Sequence, residues 1–158
     1  MQSTTSVKQS NVFELQHIVL ESCSVAEPPP ETSTLFKSCV TLNLFNNLLY
    51  RWDDVRKILK FFPKIRELVL RRNRMEAAVI GETWNEVVSL RDLILSDCGL
   101  TSESICNILL YLPCVRNLYA VGNLLNQLRV PSLANNLTVV DISSNPIKCI
   151  SNVNGNLK

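Results

Sequence analysis

The sequence predicts an α/β solenoid, one parallel sheet whose strands return through helical or irregular segments. Three observations predict it. Six short segments share one spacing of apolar residues around a single Asn or Cys. Those segments recur at 22–26 residues. Two of the stretches between them carry an apolar stripe at helical spacing.

The shared spacing is L-x-x-L-x-L-x-x-N/C-x-L, the leucine-rich-repeat consensus. It runs through Leu15, Ile18, Leu20, Cys23, Val25, then Cys39, Leu42, Leu44, Asn47, Leu49, then Ile65, Leu68, Leu70, Asn73, Met75. It continues through Leu90, Leu93, Leu95, Cys98, Leu100, then Val115, Leu118, Ala120, Asn123, Leu125, then Leu137, Val140, Ile142, Asn145, Ile147. The Asn/Cys positions are separated by 24, 26, 25, 25 and 22 residues, so six repeats are expected. Alternate strand residues such as Leu68 and Leu70 should point into the core, and Glu67, Val69 and Arg71 to the opposite, concave face. An Asn amide at the turn out of each strand can satisfy loop backbone groups that would otherwise cost about 1–3 kcal/mol each when buried. Cys at the same position offers only a weak S–H donor.

The returns follow in order. Residues 26–37, with Pro28-Pro29-Pro30, read as irregular. Residues 52–62 place Val55, Ile58, Leu59 and Phe62 on one helical face, with Arg56, Lys57 and Lys60 on the solvated one. Residues 83–88 form a weaker helix candidate. Ile105, Ile108, Leu109 and Leu112 repeat the stripe, with Thr101 or Ser102 as N-cap. Both helices stop at a proline, Pro63 and Pro113. Residues 126–135 read as irregular. The chain divides into a lead-in over 1–12, repeats over 13–147 and a tail over 148–158. The tail offers only Ile150, Val153 and Leu157 to cover the last repeat, so it is expected to be an incomplete cap, leaving a monomer that frays there, dimerises by that edge or needs downstream sequence to stay soluble.

Composition narrows the function. The chain has 158 residues, 46% hydrophobic and 19% charged, which is globular and long enough for one core. Its six cysteines follow neither CxxC nor a metal-ligand spacing and read as reduced thiols, with no metal or cofactor implied. No window approaches the roughly 18 apolar residues of a membrane span, and the N-terminus lacks a signal peptide. His17 is the only histidine, and its place is the solvent side of the first strand. With four dispersed glycines and no phosphate loop, no catalytic residue is expected. The net charge of +2 and the lack of a reading motif argue against nucleic acid.

One stretch is more specific than the generic repeat. Asn47-Leu48-Leu49-Tyr50-Arg51-Trp52-Asp53-Asp54-Val55 resembles the N-x-L-x-x-W-[DE]-[DE]-V unit of the tubulin folding cofactor E family (tubulin-specific chaperone E) and its E-like relatives. Thr83-Trp84-Asn85-Glu86-Val87 repeats part of that unit, and Gly99-Leu100-Thr101-Ser102-Glu103-Ser104-Ile105 does so with the Trp replaced. Val19-Leu20-Glu21-Ser22-Cys23-Ser24-Val25 is similar to the opening of the family's repeat domain. The likeness covers residues 13–147. The family's CAP-Gly and ubiquitin-like domains have no counterpart here, so a short isoform, a divergent member or a fragment is expected. The resemblance implies binding of tubulin, by its α or β subunit, and a cytoplasmic, cytoskeleton-associated chaperone role in tubulin folding or heterodimer turnover.

The candidate binding surface lies on the concave face. Val69, Ile94 and Tyr119 fall in its middle column, and Phe45, Arg71 and Val121 in the next. Val69, Ile94 and Tyr119, joined by Phe45 and Val121, make an apolar patch on a sheet about 24 Å wide, six strands at about 4.8 Å spacing. Arg71, Arg72 and Arg74 cluster at the end of the third strand, suited to a carboxylate-rich partner. The same scaffold also suits a regulatory subunit for another partner, such as a phosphatase or ubiquitin-ligase component, or the recognition part of a larger enzyme.

Overall fold

The computed structural model describes residues 11–152 other than Ile80 and Leu133. One 3-10 turn, Val12–Glu14, leads into β1 (His17–Val19). There follow β2 (Thr41–Asn43), α1 (Trp52–Leu59), β3 (Glu67–Val69), β4 (Asp92–Ile94), α2 (Ser102–Tyr111) and β5 (Asn117–Tyr119). The chain then forms β6 (Gln127–Val130), β7 (Val139–Asp141) and β8 (Cys149–Asn152). Strands β1-β2-β3-β4-β5-β7 make one six-stranded sheet, every neighbouring pair parallel. Its register aligns His17, Thr41, Glu67, Asp92, Asn117 and Val139, so the expected repeat spacing is also the strand register. A parallel sheet of single-step crossovers is compatible with a repeat solenoid.

The alternation of side chains explains the layering. Leu42, Leu68, Leu93 and Leu118, the central residues of β2 to β5, are at most 1% exposed. They pack with Val55, Ile58 and Leu59 of α1 and Ile105, Ile108 and Leu109 of α2 in one cluster. Their equivalents at the two ends, Ile18 in β1 and Val140 in β7, are only partly buried, because each has a strand on one side alone.

Each strand ends in the same backbone event. Ser22, Asn46, Arg72, Asp97, Gly122 and Ser144 all have φ between 53° and 67°, and each precedes an Asn or Cys of the sequence pattern. The left-handed conformation turns the chain out of the strand and aims the following side chain back beneath the sheet. Asn47 Oδ1 accepts from the amides of Cys23 (3.0 Å) and Val25 (2.9 Å), while Nδ2 donates to the Leu20 carbonyl (2.7 Å). Asn123 does the same toward Cys98, Leu100 and Leu95. Cys98 carries no such acceptor, and the Met75 amide bonds instead to the Asn73 carbonyl at 3.0 Å. Among the described residues every buried side-chain N or O has a partner.

The returns correct three expectations. Residues 83–88 are turns, not a helix: the Trp84 amide is taken by the Tyr111 carbonyl (2.8 Å), and its ring stacks on Tyr111 at 5.3 Å. So short a segment cannot repay helix nucleation once its amide is used elsewhere. The return over 126–135 is not wholly irregular, since β6 pairs in parallel with β8 as a second, two-stranded sheet. The first helix ends at Leu59, ahead of the expected 62, and Phe61 and Phe62 close it through 3-10-type bonds to Ile58 and Leu59. The other helix is as the pattern requires, with Thr101 Oγ1 accepting from the Ser104 amide at 3.2 Å. The expected tail over 148–158 supplies β8, and its Val153 and Leu157 lie outside the described residues.

Candidate protein-binding site

The open face of the sheet is built by the odd members of each strand. Register pairing sets Val19, Asn43, Val69, Ile94, Tyr119 and Asp141 side by side. Val69, Ile94 and Tyr119 are therefore contiguous, and each is half-buried by its neighbours. Asp141 closes one end of this apolar row. Its carboxylate accepts from the Ser143 amide at 3.0 Å, and that bond holds it below the usual carboxylate range. Asn43 closes the other end, donating to Glu21 Oε1 at 2.8 Å.

The next column divides. Phe45 and Val121 are half-buried on the same face, but Ser96 between them is buried, so the patch narrows there. Arg71 and Arg72 converge on Phe45, their guanidinium carbons 5.8 Å and 5.7 Å from its ring centroid. Asp97, which the sequence pattern did not single out, binds both: Nε of Arg71 lies 3.0 Å and Nε of Arg72 3.8 Å from Oδ2. Arg71 is thus hydrogen-bonded to an internal carboxylate, whereas Arg72 lies over the ring with its side chain more than half exposed and only a long contact to Asp97. Gly122, one step along the left-handed row, leaves room for Asp97, because a Cβ there would meet Asp97 Oδ1. The row of residues preceding each Asn or Cys was the signal that could have found Asp97.

Two of the three cations expected on the basic face of the first helix, Arg56 and Lys57, are paired. Arg56 pairs with Glu86 at 2.7 Å and Lys57 with Asp53 at 2.7 Å. The Glu86 carboxyl is held low and the Arg56 guanidinium high by this hydrogen-bonded pair. A second row missed by the sequence reading runs along the strand entrances, where Arg66, Arg91 and Arg116 each precede a strand. Its signal was the repeated offset of Arg66-Glu67, Arg91-Asp92 and Arg116-Asn117. Arg91 spends its Nη1 on the carbonyls of Val88 and Leu90 (2.7 and 2.8 Å), so it braces the turn. Asn117 donates to Asp92 across the same edge.

Among the described residues no three His, Cys, Asp or Glu side chains converge as a metal site would need, and His17 is exposed on β1. No described helix is long and apolar enough to cross a membrane. What the surface offers is a shallow apolar row with a cation–aromatic cluster beside it. Such an arrangement can bind a protein surface.

No protein-family model matches the chain, and no solved structure matches it. Tubulin-specific chaperone E of Mus musculus is 28% identical over 144 residues, an alignment covering 88% of this chain. The relationship is distant. The chain spans 27% of the length of that relative. It supports a remote, repeat-type kinship with part of that protein.

Proposed function

We propose that the chain is a leucine-rich-repeat module of six repeats that binds tubulin through the concave face of its sheet. It acts in tubulin folding or heterodimer turnover, and so in microtubule organisation, in the cytoplasm and without catalysis of its own. The observation that carries this reading is the similarity to mouse tubulin-specific chaperone E across most of the chain. The contiguous Val69–Ile94–Tyr119 row supports it, since half-buried apolar and aromatic side chains on a rigid sheet are the usual anchors of an interface. The Phe45–Arg71–Arg72–Asp97 cluster beside it supplies the polar rim.

Purified α/β-tubulin passed over the immobilised chain tests the proposal. Retention that is lost on Tyr119→Ala supports it. If neither subunit is retained, the tubulin reading loses its content.

A further inference from the structure

A second surface lies off the sheet, on the flank where the loops leave β2 and β3. Leu48 and Tyr50 are 63% and 58% exposed, while Leu49 between them is buried. The two exposed side chains therefore project outward together. Arg72 and Arg74, one strand along, line the same open groove of about 400 Å³ with Asn46, Leu48 and Tyr50. Arg72 occupies the backbone position equivalent to Asn46, with the Asn46 amide paired to the Arg71 carbonyl at 2.9 Å.

The charges of this groove are unbalanced. Among the described residues Arg74 has no carboxylate within 4.0 Å, and Arg72 has only Asp97 at 3.8 Å, whose Oδ2 already bonds Arg71 at 3.0 Å. Glu76 follows on the same loop, but its Oε1 is 3.3 Å from the Trp52 amide at the start of α1. Two exposed guanidiniums thus flank an exposed aliphatic and an exposed aromatic side chain. A guanidinium matches a carboxylate in a planar, two-bond geometry, and a ring beside it accepts an apolar side chain.

We infer that this groove docks an extended acidic peptide segment of a partner protein, its carboxylates on Arg72 and Arg74 and an adjacent apolar side chain on Leu48 and Tyr50. This groove adjoins the sheet-face cluster through Arg72, but the docking of an acidic peptide does not rest on the tubulin reading. The pairing of charge with apolar exposure distinguishes it from the compensated cations of α1.

The test is fluorescence anisotropy of the full chain with a short labelled peptide of glutamates flanked by leucines. Arg74→Glu should weaken binding about tenfold or more, and Tyr50→Ala several-fold, with salt weakening the unaltered chain. Arg56→Ala, whose guanidinium is paired with Glu86 and does not line the groove, should leave the affinity unchanged. Arg74→Ala serves as a second variant, and all are checked by thermal melting. Equal binding by Arg74→Glu overturns the proposal, as does equal binding of a peptide with every glutamate replaced by glutamine. A single-stranded oligonucleotide that displaces the peptide at lower concentration than unlabelled peptide also overturns it. Tubulin binding of the unaltered chain is measured alongside: a chain that binds tubulin but not the peptide refutes the groove alone, and one that binds the peptide but not tubulin refutes only the tubulin reading.

Discussion

The Asn73 side-chain amide donates to the Leu44 carbonyl at 2.8 Å, across 29 residues of chain. The same carboxamide donates to the Leu70 carbonyl at 2.9 Å and accepts from the Leu49 amide at 3.2 Å. One fully buried side chain therefore satisfies three backbone groups in two successive strand units. Asn73→Ala removes the side-chain partner of the buried Leu44 carbonyl and Leu49 amide, while the Leu70 carbonyl keeps the Asn73 backbone amide and the Cys98 thiol, and should cost about 2–4 kcal/mol. Cys98→Ala should cost clearly less, because its thiol supplies one weak proton shared between the Leu70 and Ser96 carbonyls. Urea midpoints at unchanged m-value give the comparison. Equal losses would show that the asparagine acts by packing alone.

Trp52 is 5% exposed, and its indole N–H donates to the Glu76 carbonyl at 3.0 Å. It ties the start of α1 forward to the next return, 24 residues on. Trp52→Ala should cost about 3–5 kcal/mol. Trp52→Phe keeps much of the volume but orphans the carbonyl, and should cost about 1–2 kcal/mol. A melt that barely moves in the alanine variant would mean that the ring does not hold the helix.

Asp97 restrains the two arginines beside the apolar row. If the sheet face binds tubulin, Arg71→Glu should slow association, and Asp97→Asn should speed it and steepen its salt dependence. Tyr119→Ala should act mainly on dissociation. Stopped-flow or biolayer kinetics separate the two rates. Binding indifferent to both Arg71→Glu and Tyr119→Ala would place the interface elsewhere.

Burial pushes the Cys98 thiol up to about 11 from 9.0. The unfolded chain then gives up this proton first. The contribution to stability is full below about pH 9 and is lost as pH rises toward 11. A thiol reagent at pH 8 should label exposed Cys23 and Cys149 quickly and leave Cys39 and Cys98 until the chain unfolds. Rapid labelling of Cys98 in the native chain would contradict its place under the sheet.

Strands flanked on both sides should exchange slowest. Amide hydrogen exchange is expected to show strongest protection at Leu68 and Leu93, falling toward Ile18 at one edge and Val140 at the other. Uniform protection from β1 to β7 would mean that both edges are covered in solution.

The periodic part of this protein could be read from the chain alone. Burial of Leu68, Leu93 and Leu118, the side-by-side placement of Val69, Ile94 and Tyr119, and the role of Asn47, Asn73 and Asn123 all follow from a spacing repeated along the sequence. In a parallel sheet of equal steps, that spacing is itself the register. What the period does not encode is how one unit's side chains answer the next. The Arg71–Asp97 pair spans 26 residues, and Trp52 meets Glu76 at a distance of 24. The β6–β8 pairing joins two stretches whose composition marks neither as a strand. Residues 83–88 carry apolar residues at helical spacing yet form turns, because Tyr111 offers Trp84 both a carbonyl and a ring. Local pattern decides which side of a strand is buried. Which partner a polar or aromatic group finds there is decided only when neighbouring units are stacked, because the competing bonds lie one unit away in the fold.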